Sequence, residues 1–249
     1  MNDPSRITPA SLAAMIDHTF LGASGDAGPI EKLCAEAREY GFAMVAINPA
    51  EIERCVALLR GSSVRVGAAI GFPLGQNTRE VKWFETRDAI ARGAGEIDMV
   101  INQRALRMGD VDLVGSEIAG MAETCRQAGV ISKVILECCN LTDDEKIAVC
   151  RMAREAGCNF VKTSTGMAAA GARVEDIRLM RDTVGPDMGV KAAGGVRTLE
   201  AAVAMIRAGA NRIGTSGGVA IVEELTQGGP ARLQACWQAA EVAAGGKGY

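Results

Sequence analysis

Short apolar segments alternate with amphipathic helical segments along the 249 residues. No linker-like shift in composition interrupts them, and polar residues gather where the apolar segments end. Together these observations predict one α/β domain over residues 1–249, a TIM (β/α)8 barrel with a short N-terminal helix and a flexible C-terminal tail. A doubly wound open sheet is the alternative. It is disfavoured because no Gly-x-Gly-x-x-Gly follows the first strand.

The elements follow in order. A first helix is expected over residues 5–14, with Thr8-Pro9 as cap and first turn. Strand one covers 14–19 and turns polar at its end. A helix over 29–40 stops at Gly41, and strand two, 42–47, stops at Asn48-Pro49. After a helix over 50–59 comes strand three, 64–70, closed by Gly71-Phe72-Pro73-Leu74-Gly75. The helix 78–92 ends at Gly93, strand four is 96–102, and a long helix, 111–128, is closed by Gly129. The second half keeps the rhythm, with strands at 133–138, 159–164, 189–193 and 212–215. Helices are expected at 143–155, 174–183, 199–208, 218–225 and 230–244. The tail, 245–249, is rich in glycine and ends in Tyr249.

Composition removes several functional classes. Hydrophobic residues make up 48% and the net charge is -3, which offers no electrostatic case for nucleic acid or an anionic membrane surface. No apolar run reaches the roughly 20 residues that span a bilayer. Residues 1–9 are polar, so no signal peptide and a cytoplasmic location are expected. The eight cysteines (34, 55, 125, 138, 139, 150, 158 and 236) lack paired metal-ligand spacing and are expected as free thiols. With His18 the single histidine, no metal site is expected.

The chemistry centres on Phe160-Val161-Lys162-Thr163-Ser164-Thr165-Gly166. Alternation puts Phe160, Lys162 and Ser164 on one face. A second lysine has a similar setting in Gly189-Val190-Lys191-Ala192-Ala193-Gly194-Gly195. A lysine inside an apolar strand is costly unless it is neutral, paired or functional. On strand one, Asp17 and Thr19 share a face; on strand four, Asp98, Val100 and Asn102 do, while Ile97, Met99 and Ile101 meet the helices. If the polar faces line the barrel, Asp17, Asp98, Lys162 and Lys191 converge.

That convergence has two readings. One is a buried salt-bridge network that fills the barrel. The other is an amine nucleophile with a cationic neighbour. Lysine attacks a carbonyl only as the free amine, whose reference pKa is about 10.4, and burial and nearby positive charge both lower it. Spacing leaves open which lysine attacks, and whether Asp98 moves protons or holds Lys191. A second signal lies in Ala193-Gly194-Gly195 and Gly214-Thr215-Ser216-Gly217-Gly218, where glycines and a helix start suit a phosphate. His18 reads as a hydrogen-bonded structural histidine, Glu137 as an inward-facing structural pair, and Cys138-Cys139 and Met44 as packing.

These residues carry a family resemblance from about residue 7 to 225. Ile16-Asp17-His18-Thr19, Glu96-Ile97-Asp98-Met99-Val100-Ile101-Asn102 and Lys133-Val134-Ile135-Leu136-Glu137 occur in order with the two lysine strands. The chain resembles the deoxyribose-phosphate aldolases, class I Schiff-base aldolases on a TIM barrel. The resemblance implies that Lys162 forms the Schiff base, that Lys191 lowers its pKa and joins a proton relay, and that Asp98 is the relay carboxylate. Asp17 joins these catalytic groups, and Thr19 the substrate-binding ones. Phosphate is expected on Gly194, Gly195, Ser216 and Gly217, with Thr165 and Gly166 nearby, and a C-terminal tyrosine points to Tyr249. Ala46-Ile47-Asn48-Pro49 and Met167-Ala168-Ala169-Ala170-Gly171 depart from the family pattern near the mouth and bear on aldehyde preference. The implied activity is reversible cleavage of 2-deoxy-D-ribose 5-phosphate without metal or cofactor, in deoxynucleoside catabolism, by a chain whose relatives are commonly homodimers. A Schiff-base lyase for another phosphosugar and a non-catalytic phosphosugar-binding barrel are the alternatives.

Overall fold

The computed structural model describes residues 4–245, so Tyr249 and most of the expected tail lie outside the described residues. A 3-10 turn, Pro4–Arg6, leads into α1 (Pro9–Ala13), where the Thr8 hydroxyl accepts the Ser11 N–H. Eight parallel strands follow: β1 (Ile16–Thr19), β2 (Met44–Ile47), β3 (Arg65–Ile70), β4 (Glu96–Val100), β5 (Ile131–Ile135), β6 (Phe160–Lys162), β7 (Gly189–Ala193) and β8 (Arg212–Thr215). Each pairs with its neighbours in sequence, and β8 returns to pair with β1, His18 opposite Thr215. The sheet is therefore a closed barrel, as the alternation predicts, and the open-sheet alternative is excluded.

The helices form the outer layer: α2 (Gly28–Tyr40), α3 (Ile52–Leu58), α4 (Arg79–Ala91), α5 (Gln103–Arg107), α6 (Val111–Ala128), α7 (Asp143–Glu155), α8 (Val174–Val184), α9 (Leu199–Ala208) and α10 (Gly218–Gly245). Their apolar stripes meet the outward faces of the strands. Ile97, Met99, Val134, Val161, Val190 and Ile213 are fully buried there, together with Leu33, Ile118, Val149, Ile177 and Ile206 from the helices. Gly41 and Gly129 stop α2 and α6 in left-handed conformations at φ 67°, which side chains with a Cβ rarely adopt. α10 is interrupted at Gly229 (φ 57°, ψ -159°), and Pro230 opens its second part, close to the expected break.

Several strand ends differ from the expected ones, for local reasons. β4 stops at Val100, and Asn102 does not share the face of Asp98. Its side chain instead accepts the Ala105 N–H at 3.0 Å and starts α5, a short helix that apolar periodicity does not reveal. β5 runs from Ile131 to Ile135 and not to 138, because Glu137 turns left-handed and Cys138–Asn140 forms a 3-10 turn. β6 ends at Lys162, although Leu136 N–H still reaches the Lys162 carbonyl at 2.9 Å and Thr163 N–H the Lys191 carbonyl at 3.1 Å.

The barrel interior is packed by size complementarity. A Cβ on Gly67 would lie 2.4 Å from the Met44 sulfur, and one on Gly189 would lie 2.1 Å from Cδ1 of Phe160. These two glycines make room for the large side chains of neighbouring strands. The Phe160 ring then sits 5.2 Å from the Arg212 guanidinium and 6.0 Å from Lys133 Nζ, an aromatic base beneath the cationic layer. Gly189→Ala is expected to displace this ring and cost about 1–3 kcal/mol of stability. A denaturant titration checks this; an unchanged midpoint would show that the ring moves aside freely.

Candidate active site

Alternation along eight parallel strands turns seven ionisable side chains into the barrel: Asp17, Glu96, Asp98, Lys133, Lys162, Lys191 and Arg212. Asp98 is the hub. Its Oδ2 lies 2.8 Å from Lys162 Nζ and 2.8 Å from Lys191 Nζ, and its Oδ1 lies 2.7 Å from Lys133 Nζ. Lys191 also meets Asp17 Oδ2 at 2.5 Å, and Arg212 Nη1 meets Asp17 Oδ1 at 2.6 Å. Lys133 pairs further with Glu96 and lies 3.9 Å from Asp17; Arg212 Nη2 is 3.5 Å from Glu96. Arg65 reaches Glu96 at 3.6 Å from a half-exposed position at the amino end of β3, where water screens it.

Three buried carboxylates thus face four buried cations, one positive charge in excess. Such an excess is costly in a low-dielectric interior and is relieved most simply when one lysine gives up its proton. The contacts decide which one. Lys133 touches three carboxylates and Lys191 two, whereas Lys162 has only a shared oxygen of Asp98. Burial, aided by the Lys191 and Lys133 charges and only partly opposed by Asp98, brings the Lys162 amine down to about 8. Burial acts on Lys133 in the same sense, but Asp98, Glu96 and Asp17 outweigh it and raise its pKa. Burial alone would raise Asp98; the three lysines reverse this and hold it well below the usual carboxylate range. Asp17 is lowered in the same way by Lys191, Lys133 and Arg212 against its burial.

Above this layer opens a cavity of about 270 Å³ at the carboxyl ends of the strands. Lys162, Lys191, Thr19, Thr165, Gly166, Gly194, Gly195 and Ser216 all line it. Asp17 and Asp98 lie beneath, within the ion-pair layer. Gly217 is not among the lining residues, and its N–H donates to Thr215 Oγ1 at 2.9 Å. Gly194 takes φ 84°, and a Cβ there would come within 2.9 Å of the Gly171 Cα, so the two loops touch backbone to backbone. Arg197 also lines the cavity and makes no ion pair among the described residues, which adds an available positive charge. The space thus combines one deprotonable amine with a glycine-lined, cationic wall suited to an anion.

Outside this set, His18 Nε2 bonds Glu36 Oε2 at 2.7 Å and its ring packs on Phe42. All eight cysteines are free thiols, seven of them buried. A second cavity of about 600 Å³, walled in part by Arg104 and Arg107, adjoins the first and shares Thr165 and Met167 with it. Sequence reading missed Glu96, Lys133, Arg212 and Arg197. For the first two a signal existed: Glu96 has the parity of Asp98, and Lys133 interrupts the apolar run of β5 as Lys162 does that of β6.

Two expectations follow from the charge layer. In Lys191→Met, the amine of Lys162 is expected to titrate about one pH unit higher, because a neighbouring cation is gone while Asp98 remains. The pH dependence of Lys162 modification, read by peptide mapping, checks this, and an unmoved midpoint would show that burial alone sets the amine. Asp17 and Asp98 contribute stability above the usual aspartate pKa near 3.8 that is lost as the pH falls toward their depressed folded values. Denaturation midpoints that stay level on acidification would contradict this.

A sequence profile of the DeoC/LacD family aldolases matches residues 11–224. The chain is 68% identical over 212 residues to a deoxyribose-phosphate aldolase of Bacteroides thetaiotaomicron, covering 85% of this chain and 89% of that relative. It is 55% identical over 212 residues to the deoxyribose-phosphate aldolase of Clostridium perfringens, covering 85% of this chain and 94% of the relative. Among solved structures, the deoxyribose phosphate aldolase of Aeropyrum pernix, described as tetrameric, superimposes with a TM-score of 0.83. It is 33% identical, and the match covers 89% of this chain and 94% of that one.

Proposed function

The chain belongs to the DeoC/LacD family of aldolases, and we propose that it cleaves 2-deoxy-D-ribose 5-phosphate reversibly to acetaldehyde and D-glyceraldehyde 3-phosphate through a Schiff base on Lys162. One observation carries this reading: a single weakly paired lysine, its pKa brought down to about 8, opens into a glycine-lined anion cavity. At pH 7 an amine with that pKa is roughly one-tenth unprotonated, against well under a thousandth for an ordinary lysine.

The geometry suits each step. The Lys162 amine attacks C1 of the open-chain sugar, and loss of water leaves an iminium. The iminium accepts the electron pair of the C2–C3 bond as the 3-hydroxyl gives up its proton. D-Glyceraldehyde 3-phosphate departs, and the enamine of acetaldehyde remains. Protonation at C2 and addition of water then release acetaldehyde and the free amine. Lys191 and Asp98, 2.8 Å apart, serve with a water as the proton relay, and Asp17 orients Lys191 from below. The phosphate occupies the wall of Gly194, Gly195 and Ser216, near Thr165, Gly166 and Arg197, with Thr19 beside it at the end of β1 and Gly217 shaping the turn into α10. Because the iminium is the electron sink, the route requires no metal ion.

Tyr249 enters as a proton donor from the tail of the single domain 1–249. Its deletion is expected to slow deuterium exchange into acetaldehyde more than it weakens substrate binding; unchanged exchange removes it from the relay. The protein acts in the cytoplasm, in deoxynucleoside catabolism, as a homodimer, an assembly that sedimentation tests.

Borohydride trapping with acetaldehyde is expected to leave one ethyl group on Lys162, located by peptide mapping. An adduct on Lys191 would exchange the two lysine roles, and no adduct in folded protein would bring a phosphosugar-binding barrel forward. Marked preference for another phosphosugar would keep the chemistry and change the substrate. The value of kcat/KM is expected to rise with pH on an apparent pKa near 8, since the free amine attacks.

A further inference from the structure

Glu137 follows β5 and is the only non-glycine residue with positive φ among the described residues, at 59°. That conformation costs an ordinary side chain roughly 1–2 kcal/mol relative to its usual regions. Such strain persists only where the surroundings enforce it, and here the residue's own carboxylate is fastened to a neighbouring loop. Glu137 is 2% exposed and makes no ion pair among the described residues. Its carboxylate is directed wholly at one residue. Thr165 donates its N–H at 3.3 Å to each oxygen, and its hydroxyl makes a short bond to Oε2. The Thr165 oxygen in turn accepts the Met167 N–H at 3.0 Å.

Thr165 is the last buried residue before an exposed stretch, 166–170. That stretch is tied down again where Ala172 N–H donates to the Gly194 carbonyl at 3.0 Å. Gly171 packs so closely there that a Cβ would lie 2.1 Å from the Gly194 oxygen. The loop that walls the anion cavity therefore has two anchors. One is the Gly194 turn, and the other is the Glu137 carboxylate.

We propose that Glu137 is a positioning residue for phosphate recognition: by holding Thr165 it sets the loop that places Gly166 and Gly194 against the substrate phosphate, without touching the reacting atoms. This deepens the aldolase reading above and rests on it. Lys162 bonds Asp98 at 2.8 Å and makes no bond to Glu137, whose charge acts on it only through space, so loss of the carboxylate is expected to loosen the phosphate wall and leave the amine in place, if anything less readily protonated.

Glu137→Gln tests this, because it keeps length and shape but removes the charge and replaces with an N–H donor one of the two oxygens that accept the Thr165 N–H. The value of kcat/KM for 2-deoxyribose 5-phosphate is expected to fall about tenfold to a hundredfold, mainly through KM. The values for unphosphorylated 2-deoxyribose, and the rate of acetaldehyde trapping on Lys162, are expected to stay within about twofold of wild type. Equal losses on both substrates, or none, would overturn the proposal. Glu137→Gly keeps the backbone conformation without the carboxylate and is expected to show the same asymmetry; if it behaves as wild type, the carboxylate is not the anchor. Should both fail to fold, Glu137→Asp, which keeps the charge but shortens the reach to Thr165 by one methylene, is read in the same way. Wild-type protein that forms no adduct would remove the aldolase reading and this inference together, whereas an adduct with symmetric losses removes this inference alone.

Discussion

The arrangement depends on one shared carboxylate. Asp98 holds three lysines at 2.7–2.8 Å inside a barrel that contains one more cation than it has carboxylates to balance. The cost of that excess falls on the lysine with the weakest hold, Lys162. A lysine with a full complement of partners would stay protonated and inert, as Lys133 does. Buried ion pairs are rarely worth much as stabilisers, because desolvation cancels most of the attraction. Here their value lies in the imbalance, which converts the electrostatic cost of burial into a reactive amine. The two readings that the lysine strands first allow, a salt-bridge core and a nucleophile, are therefore parts of one structure.

The imbalance is tolerable only because the barrel around it is rigid. Outward strand faces bury aliphatic side chains against the helices, and the interior below the charges is filled by Met44 and Phe160 over Gly67 and Gly189. The charged layer opens at the carboxyl end, where Lys162 meets the cavity. The aromatic face under Arg212 and Lys133 adds favourable electrostatics on the closed side. Charge layer and cavity are thus ordered along the barrel axis, with Lys133 and Arg212 away from the cavity and Lys162 and Lys191 at its floor.

The anion wall follows a different logic. It uses backbone and not charge networks, so it needs glycines where loops meet: Gly194 against Gly171 and Gly166. Loops of this kind are held by few contacts, and the contacts that exist carry the positioning. The Glu137–Thr165 link is one of them, and it gives a strained, buried carboxylate just past the end of β5 a partner on the loop after β6.

Much of this was legible in the chain. Alternation within each strand assigns Lys162, Lys191, Asp98 and Asp17 to one side of the sheet, and the glycine runs mark the loops beyond β7 and β8. Both are local properties, set by the two-residue period of a strand and by the few conformations a turn allows. Element ends were less legible, because Asn102 and Glu137 are turned by partners distant in sequence, Glu117 and Thr165. The balance of charge was less legible still: Glu96 and Lys133 leave a trace in the strand pattern, but the partners they meet do not. Lys133, Glu96 and Arg212 enter the site only when β8 closes on β1 and the strand register brings Lys162 beside Lys191. An electrostatic energy depends on distances in three dimensions, so the choice of Lys162 as the amine that yields its proton belongs to the tertiary structure, whereas the presence of an inward lysine on that strand belongs to the sequence.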